Sequence, residues 1–178
     1  MDIVEMPAVV PADPNANATA LLLARVEKTP MSPLFGVQRG DSWVDVTALE
    51  FYQQVIALAK GFVAAGIQPG DRVGLMCRTR FEWSLIDFAM WFAGGVLVPI
   101  YETSAPSQIE WIVSDSGTSA IIFETEEMQS RFSEVTSNVP GVNQQWVIDA
   151  GAVELLSDQG SSVADEEIDR RRVIATGK

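Results

Sequence analysis

Residues Pro69 to Glu124 constrain the fold more than any other part of this sequence. The run PGDRVGLMCRTRFEWSLIDFAMWFAGGVLVPIYETSAPSQIEWIVSDSGTSAIIFE reads as strand, helix, strand, helix, strand, with few residues in between. Alternation at this spacing predicts crossover connections of right-handed sense and a parallel sheet. The strands are expected at Arg72–Cys77, Val96–Tyr101 and Ala120–Phe123. The first becomes apolar on both faces toward its end, as a central parallel strand does. Thr79-Arg80-Phe81-Glu82 has the spacing of a capping box, and the helix behind it carries Phe81, Leu85, Phe88 and Phe92 on one side. Gly94-Gly95 ends that helix. Thr103 or Ser104 is expected to cap the next one, with Pro106 in its first turn; Ser107 with Glu110 is an alternative capping box. Ile109, Ile112 and Val113 form its buried side, and Gly117 ends it.

The flanking residues extend this core. Residues 1–15 carry three prolines and no periodicity, which predicts a flexible arm or an extended strap. Ala16–Lys28 reads as a short helix with Leu21, Leu22, Ala24 and Val26 inward. PLFGVQR and SWVDVT, joined by Gly40-Asp41, predict an antiparallel hairpin peripheral to the main sheet. Thr47-Ala48-Leu49-Glu50 is a further capping box, followed by Phe51, Val55, Leu58 and Phe62 at helical spacing. Gly66 closes this helix. Thr125 caps a helix running to about Val135, and Trp146-Val147-Ile148 is a last strand. Residues 151–178 turn polar, acidic and then basic. They are expected to be an exposed linker with one or two short helices, the second near Asp165–Arg172.

The fold class expected is therefore α/β: a mostly parallel sheet with helical crossovers plus a peripheral antiparallel hairpin. Residues 16–150 form the α/β unit.

Composition narrows the chemistry. The 178 residues hold 24 acids against 12 bases, a formal charge of −12. Such a surface disfavours nucleic acid and anionic membranes as partners. There is no histidine, which removes the commonest general base and the Ser/His and Cys/His pairs. The single cysteine, Cys77, excludes an internal disulfide and reads as a buried, inert thiol in a cytoplasmic protein. No phosphate-binding glycine loop lies between a strand and a helix. Asp115 and Asp149 stand alone, and Arg78 and Arg80 read as surface residues at a helix start. Arg170-Arg171-Arg172 either binds an anion or neutralises Glu166 and Glu167 one turn earlier; the second reading is favoured. No metal site is expected.

Three pieces of the chain resemble the N-terminal part of adenylate-forming (AMP-dependent synthetase/ligase) enzymes, and among them actinobacterial long-chain fatty-acid–CoA ligases. They are SWVDVTALEFYQQVIALAKGFVAAGIQPGDRVGL, RFEWSLIDFAMWFAGGVLVPIYETSAPSQIEWIV and DSGTSAIIFET. "GDRV" and "GG…VPIY" recur across the superfamily. Glu82-Trp83 and Tyr101-Glu102-Thr103-Ser104 lean toward the long-chain ligases.

The resemblance implies a parent that joins a fatty acid to CoA through an acyl-adenylate, using ATP, Mg and CoA. It implies that the Thr/Ser/Gly-rich phosphate loop, the ribose aspartate and the adenylation lysine lie downstream. This segment alone would then bind none of these cofactors and would be inactive. Its partner is the remainder of the same polypeptide, and the isolated segment would self-associate. The parent would be cytoplasmic, with peripheral membrane contact left open. Tyr101, Thr103 and Ser104, at a strand's carboxyl end where open α/β sheets place ligands, would border the substrate side. Arg131 would stand near the CoA phosphate. The alternative is a self-contained α/β interaction or binding module without catalysis.

Overall fold

The structure is a computed structural model, and it describes residues 17–174. The expected arm at residues 1–15 lies outside the described residues. In chain order the elements are α1 (Ala18–Lys28), β1 (Pro33–Arg39), β2 (Ser42–Thr47), α2 (Ala48–Ala64), β3 (Arg72–Met76), α3 (Phe81–Phe92) and β4 (Val96–Ile100). They continue with α4 (Pro106–Ser116), β5 (Ala120–Phe123), α5 (Glu126–Ser133), β6 (Gln144–Val147), α6 (Ala152–Gln159) and α7 (Asp165–Ile174). β1 and β2 pair antiparallel as a separate hairpin. The other four strands form one parallel sheet in the order β4-β3-β5-β6.

Period-two alternation along these strands divides the core into two layers. Val73, Leu75, Ala120 and Ile122 face α2, α3 and α6. Met76, Ile100, Ile121 and Phe123 face α4 and α5. The helix after β3 thus lies on one face, and the helix after the neighbouring β5 lies on the other. Connections that leave adjacent parallel strands toward opposite faces open a crevice at their carboxyl ends. This topology is what positions the site described below.

The helix boundaries show which local signals win. Thr47 and Glu50 form the capping box at α2, with Glu50 N donating to Thr47 Oγ1 and Thr47 N to Glu50 Oε2. Gly66, at φ 93°, closes α2: its amide donates to Val63 O while that of Ile67 donates to Phe62 O. The expected box at Thr79 does not form. Arg80 is the N-cap of α3, makes no side-chain cap bond, and draws Glu82 to its own guanidinium. At α4 neither Thr103 nor Ser104 caps, and the Ser107–Glu110 box is not formed. Pro106 takes the first helical position, and proline forces its predecessor into extended backbone. Ala105 therefore becomes the N-cap, at φ −71° and ψ 156°, and Gln108 Oε1 accepts from its amide. On α1, Leu22 is buried as expected, but Leu21 points outward and is 67% exposed.

Residues 152–174 form the two short helices anticipated, yet they pack on the core. Ala152, Leu156 and Ile168 are buried. α6 approaches α2 so closely that a Cβ added to Gly61 would overlap the carbonyl of Leu156. Arg171 is buried, its Nη1 donating to Ile67 O at 2.5 Å and its Nε to Glu167 Oε1 at 2.6 Å. Glu167 also takes Arg170, and Arg172 stands 3.8 Å from Asp169. The basic triplet thus pairs with Glu167, as favoured above, and with Asp169 where Glu166 was expected.

Gly61→Ala tests the α2–α6 contact. Helix propensity alone favours alanine by about 1 kcal/mol. The overlap with immobile backbone costs about 3 kcal/mol. The expected outcome is a net loss of about 2 kcal/mol in urea unfolding; a gain would mean that α6 is not seated there.

Candidate functional site at the carboxyl edge of the sheet

Met76 and Phe123 are register partners at the ends of β3 and β5. The residues that follow them meet across the crevice. Glu124 is 1% exposed, and its carboxylate is the hub. Oε2 accepts from the Arg78 amide at 2.8 Å, and Oε1 from Arg78 Nε at 3.0 Å and Nη2 at 2.5 Å. Arg80 Nη1 stands 3.5 Å from Oε1 and donates to Asp149 Oδ1 at 2.8 Å. Arg80 Nε donates to Glu82 Oε2 at 2.6 Å. The Asp149 amide donates to Glu124 O at 3.0 Å. One network thereby ties the ends of β3, β5 and β6. Asp149, expected to stand alone, is an ion-pair partner, and Arg80 is a half-buried member of the network.

The electrostatics follow from these contacts. Hydrogen bonds from Arg78 hold the Glu124 carboxyl down at about 2, against the opposing cost of burial. The Arg80 guanidinium is driven further up by its bond to Glu82. Burial pushes the Cys77 thiol up to about 12. It stays protonated at neutral pH, which fits the inert thiol expected.

Beside this network, the β3–α3 and β4–α4 turns flank a cleft of about 440 Å³, lined by Cys77, Thr79, Trp83, Pro99, Tyr101 and Glu102 among others. Tyr101 is 80% exposed over it. Thr103 is exposed, whereas Ser104 is buried at 7%, its amide donating to Tyr101 O at 3.0 Å. Arg131, on α5, reaches back to this turn. Its Nη1 donates to Glu102 O at 2.6 Å and Ser104 O at 3.3 Å. The structure therefore brings all four residues singled out in the sequence to the β4–α4 turn. It sets Arg131 under the turn's carbonyls.

The Glu124 hub was missed in the sequence. A signal existed: Glu124 is the charge immediately after the wholly apolar Ala120–Phe123, and two arginines follow the neighbouring strand. Parallel pairing of those strands brings the three together.

The chemistry available here is recognition. An aromatic and hydroxyl-lined cleft beside fixed charges can seat a partner surface or part of a ligand. With Cys77 protonated and no histidine in the chain, neither a thiolate nor an imidazole is available here. Among the described residues, no group of three or more Cys, Asp or Glu is placed to hold a metal ion.

The AMP-binding enzyme family matches residues 22–175. The chain belongs to this family. As an AMP-binding family member it is 31% identical over 171 residues to the long-chain-fatty-acid–CoA ligase FadD15 of Mycobacterium bovis, covering 94% of this chain and 28% of that protein. It is 23% identical over 143 residues to the long-chain-fatty-acid–CoA ligase ACSBG1 of Rattus norvegicus, covering 75% of this chain and 20% of the relative. The crystal structure of a long-chain-fatty-acid-CoA ligase (FadD1) from Archaeoglobus fulgidus superposes with a TM-score of 0.77 at 18% identity. That match covers 89% of this chain and 32% of the other, and shows a shared fold. The family member described here thus spans less than a third of the length of these relatives. No helix among the described residues is long and apolar enough to cross a membrane.

Proposed function

We propose that this chain is the N-terminal part of a cytoplasmic long-chain fatty-acid–CoA ligase. The parent would convert fatty acid, ATP and CoA to acyl-CoA, AMP and pyrophosphate through an acyl-adenylate. The carrying observation is the 31% identity to the mycobacterial ligase across 94% of the chain. The segment contributes a scaffold. Its carboxyl edge, with Tyr101, Thr103 and Ser104, borders the substrate side, and the downstream polypeptide packs against it. Arg131 holds the β4–α4 turn in place through Glu102 O and Ser104 O; a role toward the CoA phosphate rests on the resemblance alone.

Adenylation needs groups to polarise and hold phosphates, and in this reading the downstream polypeptide supplies them. The 178-residue chain with ATP, Mg and a long-chain fatty acid is therefore expected to release no pyrophosphate above background. Turnover dependent on both ATP and fatty acid would overturn the scaffold reading. Among the described residues β4 is a sheet edge, with Val96 47% exposed, so the isolated chain is expected to self-associate as concentration rises. A strictly monomeric chain throughout would speak for the self-contained module.

A further inference from the structure

Among the described residues β4 ends the parallel sheet on one side. Val96 N donates to Asp71 O at 2.8 Å, which ties Val96 to β3. Period-two alternation then directs the amide and carbonyl of Leu97 to the open side. Pro99 is the next residue so oriented, and an edge is where a strand tolerates the missing amide. α3 covers one face of this edge. Trp83, Asp87 and Trp91 recur at helical spacing, which sets them in one stripe along α3. Trp83 shares the carboxyl-edge cleft with Pro99 and Tyr101. Trp91 shares a groove at the other end of the sheet with Gly95 and Val96. The stripe therefore follows β4 from its start to its end, with Asp87 midway. Asp87 is half-buried and has no hydrogen bond or ion pair among the described residues. Burial alone pushes its carboxyl up to about 6. A carboxylate so placed calls for a cation.

We infer that the β4 edge and the α3 stripe together dock one extended strand of the downstream polypeptide, and that this strand carries a basic residue for Asp87. Leu97 offers a donor and an acceptor to such a strand, the recognition that strand addition uses. Asp87 selects for positive charge, and the formal charge of −12 draws a basic segment toward this surface. With an indole one helical turn away on either side, a guanidinium can stack as well as pair, so arginine fits better than lysine. A second copy joined through its own β4 does not answer this need. It brings the uncharged Val96–Ile100 and another Asp87. In the mycobacterial ligase the matched part is 28% of the protein, which leaves ample polypeptide to provide a strand. This docking rests on the chain being the N-terminal part of a longer ligase, and adds which edge is covered and by what chemistry.

Amide exchange at Leu97, with and without Asp87→Asn, tests it in the native polypeptide and in the dilute 178-residue chain. In the native polypeptide Leu97 is expected to exchange on the order of 100-fold more slowly than in the 178-residue chain. Asp87→Asn is expected to cut that protection about tenfold. In the 178-residue chain the same substitution is expected to leave the Tm at pH 7 unchanged or to raise it, since it removes a half-buried charge without a partner. A lowered Tm there would mean that Asp87 is already paired within the chain, and overturns the inference. So does protection of Leu97 that survives Asp87→Asn, which would make the covering strand an uncharged one. A longer native polypeptide in which Leu97 exchanges as fast as in the 178-residue chain overturns the docking alone. A native polypeptide of 178 residues overturns the ligase reading together with it.

Discussion

Glu124→Gln is expected to lower the unfolding free energy by on the order of 3 kcal/mol at pH 7. The glutamine keeps the shape but loses the charge that three guanidinium contacts and an amide address. The same magnitude follows independently from titration. The carboxyl ordinarily ionises near 4.5 and is held at about 2 in the fold. Such a depressed group contributes stability that is fully present above its unfolded value. That contribution fades as pH falls from about 4.5 through about 2. At about 1.4 kcal/mol per unit, it amounts to roughly 3 kcal/mol. Urea unfolding of wild type and variant between pH 7 and pH 2 measures it: the two curves should converge at the acid end. A constant difference across that range would mean that the loss comes from packing and not from the ionised hub.

Phe51→Ala is expected to cost more, about 4 kcal/mol, or a fall of roughly 12 °C in Tm for a chain of this size. Phe51 is 0% exposed at the start of α2. Its ring centroid lies 4.8 Å from that of Phe35, 5.5 Å from Phe88 and 6.0 Å from Phe81. It is the junction at which the hairpin, α2 and α3 meet. Phe35 on β1 is held to the body largely through this cluster, so the variant should also release the hairpin. Faster amide exchange across Val44–Val46 in Phe51→Ala checks that second effect. Exchange unchanged there would place the hairpin's anchor elsewhere.

The parallel sheet was legible because two signals of different physical origin agreed over Pro69–Glu124. Continuous apolar runs marked strands buried on both faces, and glycines at 94 and 117 marked helix ends that need positive φ. The cap of α4 was misread because the hydroxyls of Thr103 and Ser104 were weighed above the backbone restriction that Pro106 imposes on Ala105. The packing of α6 was hidden for another reason. Its close approach to α2 depends on Gly61 and on Gly160 just beyond α6, where a Cβ would not fit, and glycines add nothing to a hydrophobic pattern that Ala152 and Leu156 alone leave sparse. The polar composition of residues 151–174 then suggested solvent.

At the site, the turn holding Tyr101, Thr103 and Ser104 was found from the sequence because strand ends are where such sheets place ligands. The charged hub was not found, because Arg78, Glu124 and Asp149 are dispersed in sequence and meet through strand order. Asp149 lies 69 residues from its partner Arg80. Strand order depends on which face each helix takes, and no local pattern states that.

The intact mass of the native polypeptide that carries this sequence, read together with the sequence beyond Lys178, is the most direct test of the central claim. A polypeptide several times longer than this chain is predicted, continuing into a Ser/Thr/Gly-rich loop ending in lysine and turning over fatty acid, ATP and CoA. A native polypeptide of 178 residues would contradict the claim, and would make the carboxyl edge the binding face of a self-contained module.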